Sequence, residues 1–269
     1  MDQESLSKLK TALHFVWNSG DYETVARTLE PGAAAFFDRL AVGPGDRILD
    51  VACGTGQIAL PAARAGAKVT GLDLSENNIE KANALVHAGG LEVKLDAGDV
   101  EDMPYKDETF DLTVSLIGAM FAPRPERAAA EMLRVTRPGG RLVMGNWADG
   151  GFIASFFAAL AKYAPMPDIP SPLLWGDEAT VRDRFAKGVA SLALSRHPYR
   201  IEYGTPVPET VEHYFNDFGP SMVAVADLDP DDREDLREDL EALFTRHNIG
   251  TAEAVVIEAE LLDVVAVRA

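Results

Sequence analysis

The sequence predicts an α/β fold: a mostly parallel sheet wrapped by helices on both faces. From Arg47 onward, short apolar runs alternate with helical segments, which is the rhythm of repeated strand–helix–strand units. A glycine-bearing turn follows the first of these runs, in "ILDVACGTG" (48–56). Acids close or follow the first three runs, at Asp50, Asp73 and Asp99. In an open parallel sheet such positions share one edge, outside the carboxyl ends of the strands. Right-handed crossovers set the hand.

In chain order, residues 5–41 read as helical, with breaks at "NSGDY" (18–22) and "EPG" (30–32). The strands are "RILDVA" (47–52), "AKVTGLDL" (67–74), "LEVKLDAGD" (91–99), "TFDLTVSLI" (109–117) and "PGGRLVMGNW" (138–147). Between them lie helices over 57–66, 75–90 and 125–136. Ser75 is placed to cap the second of these and Gly89-Gly90 to stop it. After Trp147 the rhythm changes to an apolar helix over 151–165, a proline-rich link over 164–175 and a helix over 177–186. An extended stretch over 190–204 follows, then helical material over 211–228, a helix over 229–247 and a closing strand over 260–269. Asp229 and Pro230 supply the cap and first position of the helix at 229. The expected organisation is an N-terminal helical cap over 1–44, a core over 45–148, and lid-like insertions with the last strands over 149–269, all in one domain.

The 269 residues carry 43 acids against 25 Lys and Arg, a formal charge of −18. That field repels nucleic-acid phosphates and anionic lipid, so neither partner is expected. Cys53 is the single cysteine, which rules out an internal disulfide or a cysteine metal site; no metal is expected. The N-terminus lacks the layout of a signal peptide, and no apolar stretch reaches the ~20 residues a membrane span needs. A cytoplasmic placement is expected. In 229–244 the apolar residues Leu236, Leu240, Leu243 and Phe244 recur at helical spacing, so the acidic run reads as the wet face of an amphipathic helix. The apolar "FIASFFAALA" (152–161) reads as buried, as a pocket wall or as a dimer contact.

The turn at 52–56 suits a nucleotide. Gly54 and Gly56 permit close approach and left-handed dihedrals, and the following helix points its amide end at the same place. Gly54-x-Gly56-x-x-Ala59 matches the dinucleotide fingerprint, with Asp73 at the distance that holds a ribose diol. Asp50, however, would face a pyrophosphate, whereas a cation would be welcome beside it. Asp99 in "GDVEDMP" can accept from an adenine amino group. Acids after strands one, two and three suit a ligand with an ammonium, a ribose and an adenine, such as S-adenosylmethionine (SAM). An NAD-binding oxidoreductase and a non-catalytic binder of SAM or S-adenosylhomocysteine (SAH) remain as alternatives.

Three stretches, "ILDVACGTGQIALPAARAGAKVTGLDLS", "GDVEDMPYKDETFDLTVSL" and "EMLRVTRPGGRLVMGNW", resemble the ordered motifs of class I SAM-dependent methyltransferases. The similarity covers about 45–148 and is greatest to the branch of ubiquinone/menaquinone-biosynthesis and small-molecule enzymes. The flanks "VWNSGDYETVA" (16–26), "GAMFAP" (118–123) and "SPLLWGDE" (171–178) resemble a bacterial subgroup. The resemblance implies a Rossmann-like seven-stranded sheet whose last strand is antiparallel, with 190–204 and 260–269 as strands six and seven. It implies methyl transfer from SAM to a small organic acceptor by in-line displacement, with SAH as product, in a monomer or homodimer.

The resemblance also implies site residues. Asp50 and the backbone of Ala52, Gly54 and Gly56 would contact the methionine part of SAM, Ala52 standing where the family pattern has its first glycine. Asp73 would take the ribose hydroxyls and Leu74 would pack on adenine. Asp99 and the Val100 backbone would bind the adenine edge, and Ser115 to Ile117 would line the methionine end. Trp17 joins the cofactor-binding set. His14, Tyr22 and His213 are the candidates for a base or an acceptor-positioning group. Phe121, Arg124, Trp147 and Tyr214 are further side chains expected near an acceptor.

Overall fold

The structure, a computed structural model, describes residues 2–164 and 169–269. Its first elements are helices α1 (Gln3–Trp17) and α2 (Tyr22–Arg39), strand β1 (Arg47–Val51), α3 (Ala59–Arg64), β2 (Lys68–Asp73), α4 (Glu76–Ala88) and β3 (Val93–Ala97). Then come β4 (Phe110–Leu116), α5 (Pro125–Val135), β5 (Thr136–Trp147), α6 (Gly151–Tyr163), α7 (Glu178–Arg184) and β6 (Val189–Glu202). The chain ends with α8 (Val207–Asp217), α9 (Gly219–Ala226), α10 (Pro230–His247) and β7 (Val256–Arg268). Residues 165–168, which include the end of the expected helix over 151–165 and part of the proline-rich link over 164–175, lie outside the described residues. Among the described residues no helix is long and apolar enough to cross a membrane.

The seven strands run in the order β3-β2-β1-β4-β5-β7-β6. Strands β1 to β5 pair in parallel, and β7 is antiparallel to β5, with Gly145 opposite Asp263. The extended stretches over 190–204 and 260–269 thus become strands six and seven of a Rossmann-like sheet. From β1 the chain steps outward to β2 and β3, then crosses back to lay β4 on the other side of β1. Such a reversal of strand order, here at the carboxyl ends of β1 and β4, is where open α/β sheets bind ligands. Ile48, Leu49 and Val51 on β1, with Leu112 and Val114 on β4, are fully buried; near-continuous apolar runs are what a strand covered on both faces requires.

Two compact units are present. The first comprises Met1–Pro31, Gly150–Asp168 and Arg200–Ala259; the second comprises Gly32–Asp149, Ile169–Tyr199 and Glu260–Ala269. In the first unit, Leu236, Leu240, Leu243 and Phe244 of α10 are buried, as the helical spacing predicts. Asp229 caps α10 by accepting from the Asp231 and Asp232 amides. Phe152 and Phe156 of α6 turn inward, Phe152 meeting Phe244 edge-on at 5.0 Å. In the second unit, Ser75 caps α4 by accepting from Asn78 N. At the amino end of the strands Asp111 accepts from Arg47 and Arg137, and the Arg47 bond above all holds its carboxyl well below the usual range.

The break expected at "EPG" does not occur: α2 runs through Pro31 to Arg39. A proline inside a helix removes one backbone bond, but the glycine beside it is there for packing. A Cβ on Gly32 would stand 2.4 Å from the Tyr199 ring. Tyr199 is itself buried and meets Trp147 edge-on at 5.0 Å. Gly32→Ala is therefore expected to lower stability by about 1–3 kcal/mol through overpacking, read from the midpoint of chemical denaturation. A variant as stable as the parent would show that Tyr199 can yield.

Candidate functional site

The turn after β1 is left-handed at three places: Ala52 (φ +56°), Gly54 (φ +54°) and Gly56 (φ +101°). For Ala52 this conformation costs about 1–2 kcal/mol. Its methyl group has room because residue 118 is a glycine: a Cβ there would stand 2.4 Å from Ala52 Cβ and 2.8 Å from Ala52 O. Ser115 holds the same junction. Its hydroxyl, buried, donates to Val51 O at 2.8 Å and accepts from Ala119 N at 3.0 Å. Ile117 is also left-handed (φ +67°), with its N–H donating to Gly145 O at 2.7 Å. A β-branched residue in that region is strained, and such strain gathers at ligand sites and switches.

The carboxylates are tied to this turn. Asp50 is 2 % exposed, and among the described residues its hydrogen-bond partner is the Ala59 N–H, at 2.9 Å from Oδ2. Burial pushes its carboxyl up to about 8, and the charge of Asp73 adds to the shift. Asp73 ends β2, with Oδ2 accepting from Gly54 N at 2.7 Å and Oδ1 from Ser75 N at 2.9 Å and Asn78 Nδ2 at 3.4 Å. Its carboxyl is also raised by burial, against the pull of those three donors. Half-buried Asp99 follows β3 and accepts from Glu101 N at 2.8 Å. Leu74 and Val100, also half-buried, stand beside Asp73 and Asp99.

Helix α3 is shorter than the expected 57–66, and the amide that opens it, Ala59 N, is already given to Asp50. A pyrophosphate would meet a carboxylate and lose the amide it needs. A ligand with a cation and hydroxyl or amino donors would meet acceptors.

Asp50, Ala52, Gly54, Gly56, Asp73, Leu74, Asp99, Val100, Ser115 and Ile117 thus share the carboxyl edge of the four adjacent strands β3-β2-β1-β4. His14, Trp17, Tyr22 and His213 belong to the first unit. Trp17 meets Tyr22 at 6.5 Å and Phe218 at 6.3 Å, both edge-on. His14 Nε2 lies 3.4 Å from Asn18 Nδ2. His213 is exposed on α8, its Nδ1 3.0 Å from Asp217 Oδ2.

Sequence reasoning missed the residues that hold the Asp99 loop. Glu101, fully buried, accepts from Arg124 N at 2.6 Å and Arg124 Nε at 2.8 Å, while Arg127 Nε donates to Glu101 O. Glu131 accepts from Met103 N at 3.0 Å and from Arg134, which holds its carboxyl below the usual range. The one signal was the second acid in "GDVEDMP", indistinguishable by spacing from a surface residue. Arg124, expected near an acceptor, is committed to Glu101.

The sequence profile described as "Methyltransferase domain" matches residues 49–144. An uncharacterised protein of Mycobacterium tuberculosis is 33% identical over 216 residues, covering 79% of each chain. The 27-O-demethylrifamycin SV methyltransferase of Amycolatopsis mediterranei is 28% identical over 250 residues, 90% of this chain and 85% of that one. Among solved structures, the YcgJ protein of Bacillus subtilis superposes with a TM-score of 0.62 at 16% identity, over 88% of this chain and 97% of that one, a likeness of fold.

The packing of Ala52 on residue 118 is testable. Gly118→Ala should cost about 1–3 kcal/mol by overpacking, and adding Ala52→Gly should restore part of the loss, because the clash with Ala52 Cβ goes while that with Ala52 O stays. Additive effects in this double-mutant cycle would refute the coupling.

Proposed function

The chain belongs to the class I SAM-dependent methyltransferases, and on that premise we propose that the carboxyl edge of β1 to β4 holds SAM and that a small organic molecule takes the methyl group. The family makes it an enzyme with SAM as donor. The residue roles and the acceptor class are our reading. Asp50 and the turn at 52–56 would hold the methionine part, with Ser115 and Ile117 shaping its far wall. Asp73 would hold the ribose, Leu74 the adenine face, and Asp99 with Val100 N the adenine edge. Trp17, His14, Tyr22 and His213 are carried in this proposal as donor- or acceptor-positioning candidates.

One observation carries the reading: Asp50 is a buried carboxyl group with no Lys, Arg or His ion pair among the described residues. Burial favours its neutral form, and an ammonium or sulfonium placed beside Asp50 would supply the partner that the ionised form needs. NAD offers a diphosphate there instead, which is why the oxidoreductase alternative is disfavoured.

When bound, SAM supplies an activated methyl on a cationic sulfur, a good leaving group. The chain's part is to bind, to orient and to exclude water. Aligning nucleophile, methyl and sulfur can lower the barrier by ~7–11 kcal/mol. An acceptor O–H or N–H must also lose its proton, and a side-chain base would add roughly 10²–10⁴-fold. Two things support a small acceptor: the charge of −18, which repels nucleic acid, and the relative whose name designates a 27-O-demethylrifamycin SV substrate.

The pH dependence has a definite sign. The Asp50 carboxyl in the fold, at about 8, lies above its ordinary 3.8. Its contribution favours the ligand-free fold below pH about 4 and is lost as pH rises through about 8. A cation at the site ionises it, so SAM binding at pH 7 should release close to one proton. Affinity should rise up to about tenfold per pH unit below 8 and level off above it. Calorimetry in buffers of different ionisation enthalpy reads the proton count. Asp50→Asn should abolish the release, weaken SAM and raise the melting temperature of the ligand-free protein at pH 9. Binding of SAM without proton release, or NADH binding as tightly as SAM, would contradict the assignment.

The acceptor class has its own check. Labelled SAM should methylate members of a panel of phenols, alcohols and amines but not bulk protein or RNA. Label found only in the polymers would overturn the small-molecule reading.

A further inference from the structure

Within the first unit, a cavity of about 270 Å³ is walled by Thr24, Val25, Thr28, Tyr203, His213 and Tyr214, among others. The hydroxyls of Tyr203 and Tyr214 lie 2.9 Å apart, and among the described residues neither makes another hydrogen bond. Each phenol brings one O–H. The bond between them uses one proton, whichever ring donates, so the second proton has no acceptor among the described residues. Buried donors are rarely left so.

The surplus proton cannot be relieved by ionisation or by movement. Burial pushes the Tyr214 phenol up to about 12 and raises the Tyr203 phenol as well, so both remain protonated. The rings are locked: Tyr214 packs on Phe156 at 4.8 Å, Phe218 at 5.6 Å and Phe244 at 5.6 Å, and Tyr203 meets Phe244 edge-on at 5.4 Å. Along the wall Arg27 is paired with Glu23 at 2.5 Å and Glu202 with Arg200 at 2.5 Å, while His213 Nδ1 lies 3.0 Å from Asp217 Oδ2. What remains for a ligand is apolar surface, the Thr24 hydroxyl and the one donor of the tyrosine pair.

We propose that this cavity is a binding site for a neutral ring compound with a carbonyl oxygen, the oxygen accepting the spare proton of the Tyr203–Tyr214 pair. An engineered apolar cavity of about 150 Å³ takes benzene, so this volume suits a substituted ring or two fused rings. The inference concerns binding alone and stands whether or not SAM occupies the carboxyl edge of the sheet.

The test uses the full chain and two probes of one shape, 1-tetralone, which has the carbonyl, and tetralin, which lacks it. Affinities are read by NMR titration against the parent and against Tyr203→Phe/Tyr214→Phe. Removing both hydroxyls together leaves no orphan and keeps the ring shapes, so the double variant should fold; its melting temperature checks that. In the parent, tetralone should bind about tenfold tighter than tetralin. In the double variant the two should bind alike. Equal affinities in the parent, as when a water satisfies the pair, overturn the proposal. So does a preference that survives loss of both hydroxyls, or failure of tetralone to bind at millimolar concentration. The comparison in the parent decides the matter even if the double variant does not fold.

Discussion

The carboxyl group of Asp50 has been carried into the interior near the end of a central strand and bonded to the first amide of the next helix, with no Lys, Arg or His paired to it among the described residues. Burial favours the protonated form of that carboxyl and leaves its ionised form waiting for a cation. Because Ala59 N is committed to Asp50, the helix end is closed to phosphate. Because Asp73 is committed to Gly54 N and Ser75 N, the glycine turn is drawn onto the end of the neighbouring strand. An edge of this kind suits a positively charged ligand with several donors, which is the basis for proposing SAM there.

Rigidity around the edge comes from contacts that cross long stretches of chain. Ser115 joins the ends of β1 and β4, and Gly118 accommodates the methyl of Ala52. Glu101 and Glu131 fasten the loop after β3 to the segment around α5. Gly118, Glu101 and Glu131 need not touch a ligand. They set where Asp99 and the backbone of 52–56 stand, and preorganisation of that kind is what an in-line transfer asks of a protein.

Much of this was legible in the sequence, for physical reasons. The first five strands are apolar runs bounded by turns, and Ser75 and Asp229 are caps whose partners lie two or three residues away. The row of acids followed from the rule that ligands gather at the carboxyl ends of parallel strands. The features that escaped notice depend on residues distant in sequence. "EPG" reads locally as a break, yet Gly32 serves Tyr199 and the helix continues. Ala52 looked like a departure from a glycine pattern, and its compensation sits at Gly118. The spare proton of the Tyr203–Tyr214 pair is invisible until two helical and extended segments are brought together.

The most direct measurement is a carbon-13 NMR titration of the aspartate side chains, with Asp50→Asn assigning the Asp50 resonance. In the ligand-free protein its carboxyl should titrate near 8, and with SAM bound it should stay ionised down to the ordinary carboxylate range. A ligand-free titration already in that ordinary range, unmoved by SAM, would mean that Asp50 awaits no cation and that the donor is held elsewhere.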